Sequence, residues 1–177
     1  MKIKVFYYSL SGNNAKLAKI IAGEIGAETV EIKELRKRTW FTISLDQLLK
    51  RKTAKVNPKP EEALTDCDLA ILMGPVWMGK IALPLVPYLD CLKTISIPFA
   101  FVSVAGGAMG PNTGIAAELK EKTGREPKAL VDMYVASLLP QEPKPEVKDT
   151  IKYKLTENDL DKFASVAVGK LRELSVI

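Results

Sequence analysis

Three short stretches of this sequence hold residues whose types and spacing could do chemistry. They are Ser9-Leu10-Ser11-Gly12-Asn13-Asn14, Gly74-Pro75-Val76-Trp77-Met78-Gly79-Lys80 and Ala105-Gly106-Gly107-Ala108-Met109-Gly110. The first combines two hydroxyls, a glycine and two amides just where an apolar-periodic helix begins. Free backbone N–H groups and the helix dipole there attract an anion. The same residues could equally form a capped turn with no ligand. In the second stretch the indole of Trp77 can stack on a planar ring, a contact worth roughly 1–3 kcal/mol by analogy with base stacking. It could also fold back over the sheet edge. The third stretch is three glycines among small neighbours, backbone that a ligand can approach closely, or else a flexible turn. Together the three offer a phosphate end, a stacking wall and a backbone hydrogen-bonding edge.

What the chain lacks narrows the chemistry further. It has no histidine, so His-based triads, His metal sites and the usual general base near neutral pH are excluded. Cys67 and Cys91 have neither metal nor redox spacing. No residue is assigned a catalytic or metal-ligating role, and a bound cofactor is the simplest route to redox chemistry. Residues 74–80 also spell G-x-x-x-x-G-K, but Ile81 stands where a Ser or Thr must hold Mg²⁺. Pro75 has no N–H to offer a phosphate, and residues 76–78 are too bulky for a tight nest. No G-x-G-x-x-G occurs, which argues against a Rossmann dinucleotide site. A receiver domain needs acids after strands one and three, where this chain has Tyr8-Ser9 and Met73-Gly74.

The elements that must position these loops alternate between strand and helix. Apolar runs at 3–8 and 69–73 read as strands buried in the sheet, with further strands at 99–104 and 129–135 and an alternating one at 28–33. Helices are expected at 13–25, stopped by Gly26, at 83–92, at 112–122 capped by Asn112, and at 156–174, where Thr156 and Asp159 form a capping box. Five βα units of this kind make an α/β fold, an open parallel sheet covered by helices on both faces. At 177 residues the chain fits one domain, residues 1–177. Ligands of such sheets bind beyond the carboxyl ends of the strands, where the strand order reverses. The three loops follow strands one, three and four. Residues 34–65 are long for a crossover, and the Pro-rich stretch 137–149 reads as an exposed loop.

With the loops placed, Tyr8-Ser9-Leu10-Ser11-Gly12-Asn13-Asn14 resembles the flavodoxin phosphate signature, an aromatic and Ser/Thr followed by x-Ser/Thr-Gly-Asn-Thr. Gly74-Pro75-Val76-Trp77 with Gly79 resembles the second flavin loop of that family, and Ala105-Gly106-Gly107 the third. The resemblance implies a three-layer, doubly wound, five-stranded parallel sheet of order 2-1-3-4-5 that holds FMN non-covalently for electron transfer. It implies that Ser9, Ser11, Asn13 and Asn14 take the phosphate, that Trp77 flanks the isoalloxazine, and that backbone near Gly106 and Gly107 meets the pyrimidine edge. The cofactor-binding set is then Ser9, Leu10, Ser11, Gly12, Asn13, Asn14, Pro75, Val76, Trp77, Met78, Gly79, Ala105, Gly106 and Gly107. Asn14 departs from the usual Thr, and the third loop has no aromatic, leaving Met109 or Met78 to face Trp77. The loops carry no acid but do carry Lys80, so a flavin potential above that of acidic flavodoxins is expected. An NAD(P)H-dependent FMN or quinone reductase and a flavin-free interaction module are the alternative readings.

Charge is uneven. Residues 33–59 hold nine Lys or Arg against Glu34 and Asp46, a local net charge of +7 in a chain of net +5. Within it, residues 36–52 can form a helix with Phe41, Leu45, Leu48 and Leu49 on one stripe. That stripe either packs on the sheet or docks the protein on an acidic partner or an anionic membrane. Nucleic acid is not expected, because the aromatics fall on the apolar stripe and not among the charges. A redox partner protein or a small-molecule acceptor completes the expected partners. The N-terminal run reads as a strand and not a signal peptide, and a cytoplasmic location fits the cysteine usage.

Overall fold

The computed structural model describes residues 1–36, 38–49 and 51–177, apart from the side chains of Trp40 and Gln47. Five strands, β1 (Ile3–Tyr7), β2 (Glu28–Glu31), β3 (Leu69–Met73), β4 (Phe99–Ala105) and β5 (Leu130–Tyr134), pair in parallel in the order 2-1-3-4-5. Every residue of β3 and β4 is buried. Two flanking layers of helix leave these central strands no contact with water, which is why their sequences show no polar alternation. The sheet order is the one that the family resemblance implies.

The helices are α1 (Asn13–Ile25), α2 (Trp40–Leu48), α3 (Pro60–Ala63), α4 (Val86–Thr94), α5 (Ile115–Thr123), α6 (Val147–Ile151) and α7 (Glu157–Glu173). On one face Leu17 and Ile21 of α1 meet Phe163, Ala167 and Leu171 of α7 over β1, β3 and β4. On the other, Tyr88 and Leu89 of α4 and Leu119 of α5 pack on Phe6, Leu72 and Phe101. Each such side chain contributes about 1.5–3 kcal/mol by leaving water. α7 starts as expected, with Thr156 accepting from the Asp159 N–H and its own N–H donating to the Asp159 carboxylate. Among the described residues no helix is long and apolar enough to cross a membrane.

Four local expectations are corrected. The helix expected at 112–122 begins at Ile115, after Gly114, and Asn112 is used elsewhere. The helix expected at 83–92 opens as a 3₁₀ turn, Leu83–Leu85, and continues as α4 to Thr94. The Pro-rich stretch 137–149 is not a bare loop. It leads into α6, which is closed by a capping box of Glu146 and Asp149.

The fourth concerns α2. Its stripe of Phe41, Leu45 and Leu48 does not pack on the sheet. Phe41 and Leu48 are exposed, whereas Ile43 and Asp46 point inward. Asp46 decides the orientation, because its carboxylate is tied to Arg38 at 2.6 Å, Arg36 at 3.0 Å and Arg51 at 3.1 Å. A carboxylate so bonded cannot turn to solvent without breaking all three pairs. Lys37 and Lys50 of the basic segment lie outside the described residues.

Candidate functional site

A cavity of about 370 Å³ opens at the carboxyl ends of the strands, between α2 on one side and α6 on the other. That volume lies within the range of small-molecule sites, roughly 300–1,000 Å³. All three chemistry-bearing loops reach it. Among the described residues its lining carries no charged side chain.

The first loop turns from β1 into α1. Gly12 precedes the helix, donates its N–H to Ser9 Oγ at 3.0 Å, and no side chain caps the helix start. The first N–H groups of α1 therefore have no side-chain acceptor and no intrahelical one. Leu10, Ser11, Asn13 and Asn14 line the cavity, whereas Ser9 and Gly12 sit behind it and shape the turn. The expectation that the Asn13 and Asn14 amides add donors for an anion is corrected in part. Asn13 Nδ2 donates to the Tyr153 carbonyl at 2.8 Å, and its Oδ1 accepts from the Leu155 N–H at 3.1 Å. Asn14 accepts from the Val104 N–H at 3.0 Å and donates to the Val104 carbonyl at 3.1 Å. An amide presents donor and acceptor side by side, which a hydroxyl does not. That accounts for Asn where the resembled signature has Thr. Their backbone N–H groups remain for the cavity, beside the second N–H that each Nδ2 carries.

Asn14→Ala would leave both Val104 groups buried without partners. It is expected to destabilise the fold by roughly 2–6 kcal/mol, at about 1–3 kcal/mol per orphaned group. Urea unfolding followed by circular dichroism measures this, and a loss under about 1 kcal/mol would contradict the bridging role.

The second loop is a small hairpin. Val76–Trp77 pairs antiparallel with Lys80–Ile81, and Met78 and Gly79 form its two-residue turn with φ of 50° and 72°. Both central residues at positive φ give the turn that matches strand twist. The G-x-x-x-x-G-K string is thus a hairpin and not a phosphate nest. Trp77 lines the cavity but is only 6% exposed. Its ring meets Tyr8 edge-on at 5.8 Å, and the Arg38 guanidinium lies over it at 5.3 Å. The expected free stacking plate is instead a wall held from behind. Arg38 is itself fixed by both Glu34 oxygens at 2.6 Å and by Asp46. Burial first, and Glu34 second, push the Tyr8 hydroxyl up to about 12, so it stays protonated. Met78 and Met109 are exposed at the mouth, and Lys80 does not line the cavity.

The third loop is braced from below. Ser103 Oγ and Tyr134 Oη both donate to the Asp132 carboxylate. Asn112 Nδ2 donates to Asp132 at 2.9 Å and the Asn112 N–H donates to Tyr134 Oη at 3.0 Å. Burial, reinforced by the Asp132 carboxylate, pushes the Tyr134 hydroxyl up, which keeps it a donor. The Tyr134 side chain lies directly against Gly107, where a Cβ would come within 2.5 Å of it. At Gly106 a Cβ would meet Thr150 Oγ1 of α6 at 2.9 Å. Only bare backbone fits at this edge.

No protein-family model matches the sequence, and no curated protein does. Solved structures do match. A flavoprotein from Lactobacillus acidophilus, solved in complex with FMN, superposes with a TM-score of 0.58 at 24% identity, covering 74% of this chain and 92% of that one. Flavodoxin 2 from Bacillus cereus, in its oxidised form, gives 0.52 at 17% identity, covering 98% and 99%. A flavodoxin from the domain Archaea gives 0.51 at 16%, covering 99% of each chain. The fold is flavodoxin-like.

In this flavodoxin-like frame, twelve of the fourteen expected site residues line the cavity, all but Ser9 and Gly12. Others went unforeseen: Ile43 and Ser44 from α2, Val147, Thr150 and Ile151 from α6, and Asn112. Lys154 was missed as well. Its Nζ donates to the Ser11 carbonyl and sets a cation at the phosphate-like loop. Nothing in the local pattern around residues 147–154 marks them, because a Pro-rich crossover reads as connection. Cys67 and Cys91 are buried, burial pushes both thiols up, and neither lines the cavity.

Proposed function

We propose that the cavity binds FMN and that the protein transfers electrons through it. The observation that carries this reading is the junction of three features in one cavity: an uncapped α1 N-terminus, a bare Gly106–Gly107 backbone edge, and uncharged walls between them. A phosphate fits the first, with Lys154 supplying a cation beside it. A flat heterocycle with polar edges fits the second and third. Ser11 and the backbone of Asn13 and Asn14 would hold the phosphate, and Leu10, Pro75, Val76, Trp77, Met78 and Gly79 would line the ring. Ala105, Gly106 and Gly107 would meet its polar edge. Ser9 and Gly12 shape the phosphate turn without facing the cavity.

When bound, FMN supplies one- and two-electron chemistry. This chain's residues would orient it and exclude water. Trp77 is fixed by Tyr8 and Arg38, so its wall costs no reordering when ligand enters. Met78 and Met109, exposed at the mouth, are where a redox partner protein or a small acceptor would approach. An uncharged cavity does not penalise a reduced, anionic ring as a carboxylate-lined one would, which supports a comparatively high potential.

Titration of the purified protein tests the reading. FMN fluorescence should quench and saturate, and riboflavin, lacking the phosphate, should bind at least about tenfold more weakly, as loss of one charged hydrogen bond of about 1.5–3 kcal/mol requires. Lys154→Gln should weaken FMN and leave riboflavin unchanged. No quenching with excess FMN would remove the electron-transfer reading and leave the interaction module.

A further inference from the structure

We infer that α2 is an interfacial anchor that seats the protein on an anionic lipid surface. The helix is turned inside out relative to an ordinary surface helix, which buries its apolar stripe and exposes its charges. Phe41 and Leu48 stand at i and i+7 on its outer side, 76% and 78% exposed, with half-buried Leu45 between them. Leu49, just beyond the helix, is exposed as well. The inner side carries Asp46, whose side chain is 1% exposed, bonded to Arg36, Arg38 and Arg51. That ionic cluster fixes the rotation of α2, so the apolar stripe cannot turn inward to escape water. Buried ion pairs are best attested in this role of setting register.

Charge complementarity names the occupant. The segment 33–59 carries a net charge of +7. Arg36, Arg38 and Arg51 serve the inner cluster, but Lys52 and Lys55 are exposed and in no ion pair among the described residues. Leu35 is 69% exposed and donates its N–H to the Lys55 carbonyl at 2.9 Å, which adds another apolar side chain beside these lysines. A helix with aromatic and leucine side chains on its outer face and lysines beside it lies in the plane of a bilayer surface. The apolar side chains enter the acyl boundary and the ammonium groups meet anionic headgroups. Ile43 and Ser44 of the same helix line the cavity, so seating α2 brings the cavity's α2 side to the lipid–water boundary. The inference stands independently of what the cavity binds.

Co-sedimentation of the full chain with vesicles tests it. One set is phosphatidylcholine alone, and the other contains about a third phosphatidylserine. Binding should favour the anionic vesicles at least about tenfold and weaken as salt rises. K52E/K55E and, separately, F41S/L48S should each lower binding about tenfold or more. Far-UV circular dichroism and melting should show both variants folded. No binding to anionic vesicles, or binding that neither variant reduces, overturns the inference. Self-association that F41S/L48S abolishes, without vesicle binding, would assign the stripe to a second copy of this chain. Polyglutamate bound as tightly as the anionic vesicles, with F41S/L48S silent, would assign the segment to an acidic protein.

Discussion

Gly107→Ala should weaken FMN binding about a hundredfold and also destabilise the fold. Gly107 adopts φ of 77°, and a Cβ there would fall 2.5 Å from Tyr134 Cβ and 2.7 Å from its Cδ1. Two costs add. An L-residue in the left-handed region costs roughly 1–2 kcal/mol, and overpacking a fixed neighbour costs about 1–3 kcal/mol. Tyr134 cannot give way cheaply, because its hydroxyl is held by Asp132 and by the Asn112 N–H at 3.0 Å. The loop must shift instead, and the shift goes into the cavity edge. A strain of about 2.7 kcal/mol relieved only without ligand would weaken binding about a hundredfold. Gly110→Ala is the control. Gly110 also has positive φ, 97°, but a Cβ there meets nothing within 4 Å. It should cost about 1 kcal/mol of stability and leave FMN titrations nearly unchanged. Equal effects of the two substitutions would mean that backbone strain alone matters and that the Tyr134 brace does not.

Asp46→Ala should cost about 3–5 kcal/mol, the range for removing one partner of a buried ion pair. Arg38 is only 4% exposed, so the charge left behind there is poorly hydrated, whereas Arg36 and Arg51 reach water. Glu34 still binds Arg38 through both oxygens, which places the expected loss at the lower end. The effect should reach the cavity too, because Arg38 covers Trp77. Trp77→Phe in the same background would then cost less than in the native chain, a non-additivity that chemical denaturation reads directly. The pH dependence has a definite sign. Burial raises the Asp46 pKa, but the hydrogen bonds from Arg38 and Arg36 outweigh it and hold the carboxyl below its ordinary value. A depressed folded-state pKa contributes stability that is fully present above the unfolded value of about 4. It is lost as pH falls from there through the folded value. The gap between native and D46A should therefore be widest at neutral pH and close on acidification. A gap that grew toward low pH would show that Asp46 is not the ionised hub of the cluster.

The buried strands were legible because a parallel sheet covered on both faces leaves few positions polar, so Leu69–Met73 and, with Ser103 its one polar residue, Phe99–Val104 announce themselves. The Gly26 stop and the Thr156–Asp159 cap were legible because they depend only on neighbouring residues. The three loops could be read as rims of one site because parallel topology sends successive βα turns to the same edge. Asn13 and Asn14 could not. Their spacing fits an anion loop, and only the folded chain shows that Val104, ninety residues away, and Leu155, further still, take their amides. The orientation of α2 stayed open for a related reason: a helical pattern fixes which side chains share a face but not which face turns inward.

The sequence by itself determined the sheet, its covering helices and the rim on which a ligand must lie. Local hydrogen bonding and hydrophobic periodicity are encoded within a few residues. The tertiary structure alone decided that Trp77 is a braced wall, that α6 closes the cavity, and that Asp46 turns the leucines of α2 outward. Trp77 is braced by Tyr8 and Arg38 and α6 lines the cavity opposite α2, placements that only the folded chain makes. The Asp46 cluster joins residues close in sequence, but its ion pairs gain their strength only once folding takes them away from water.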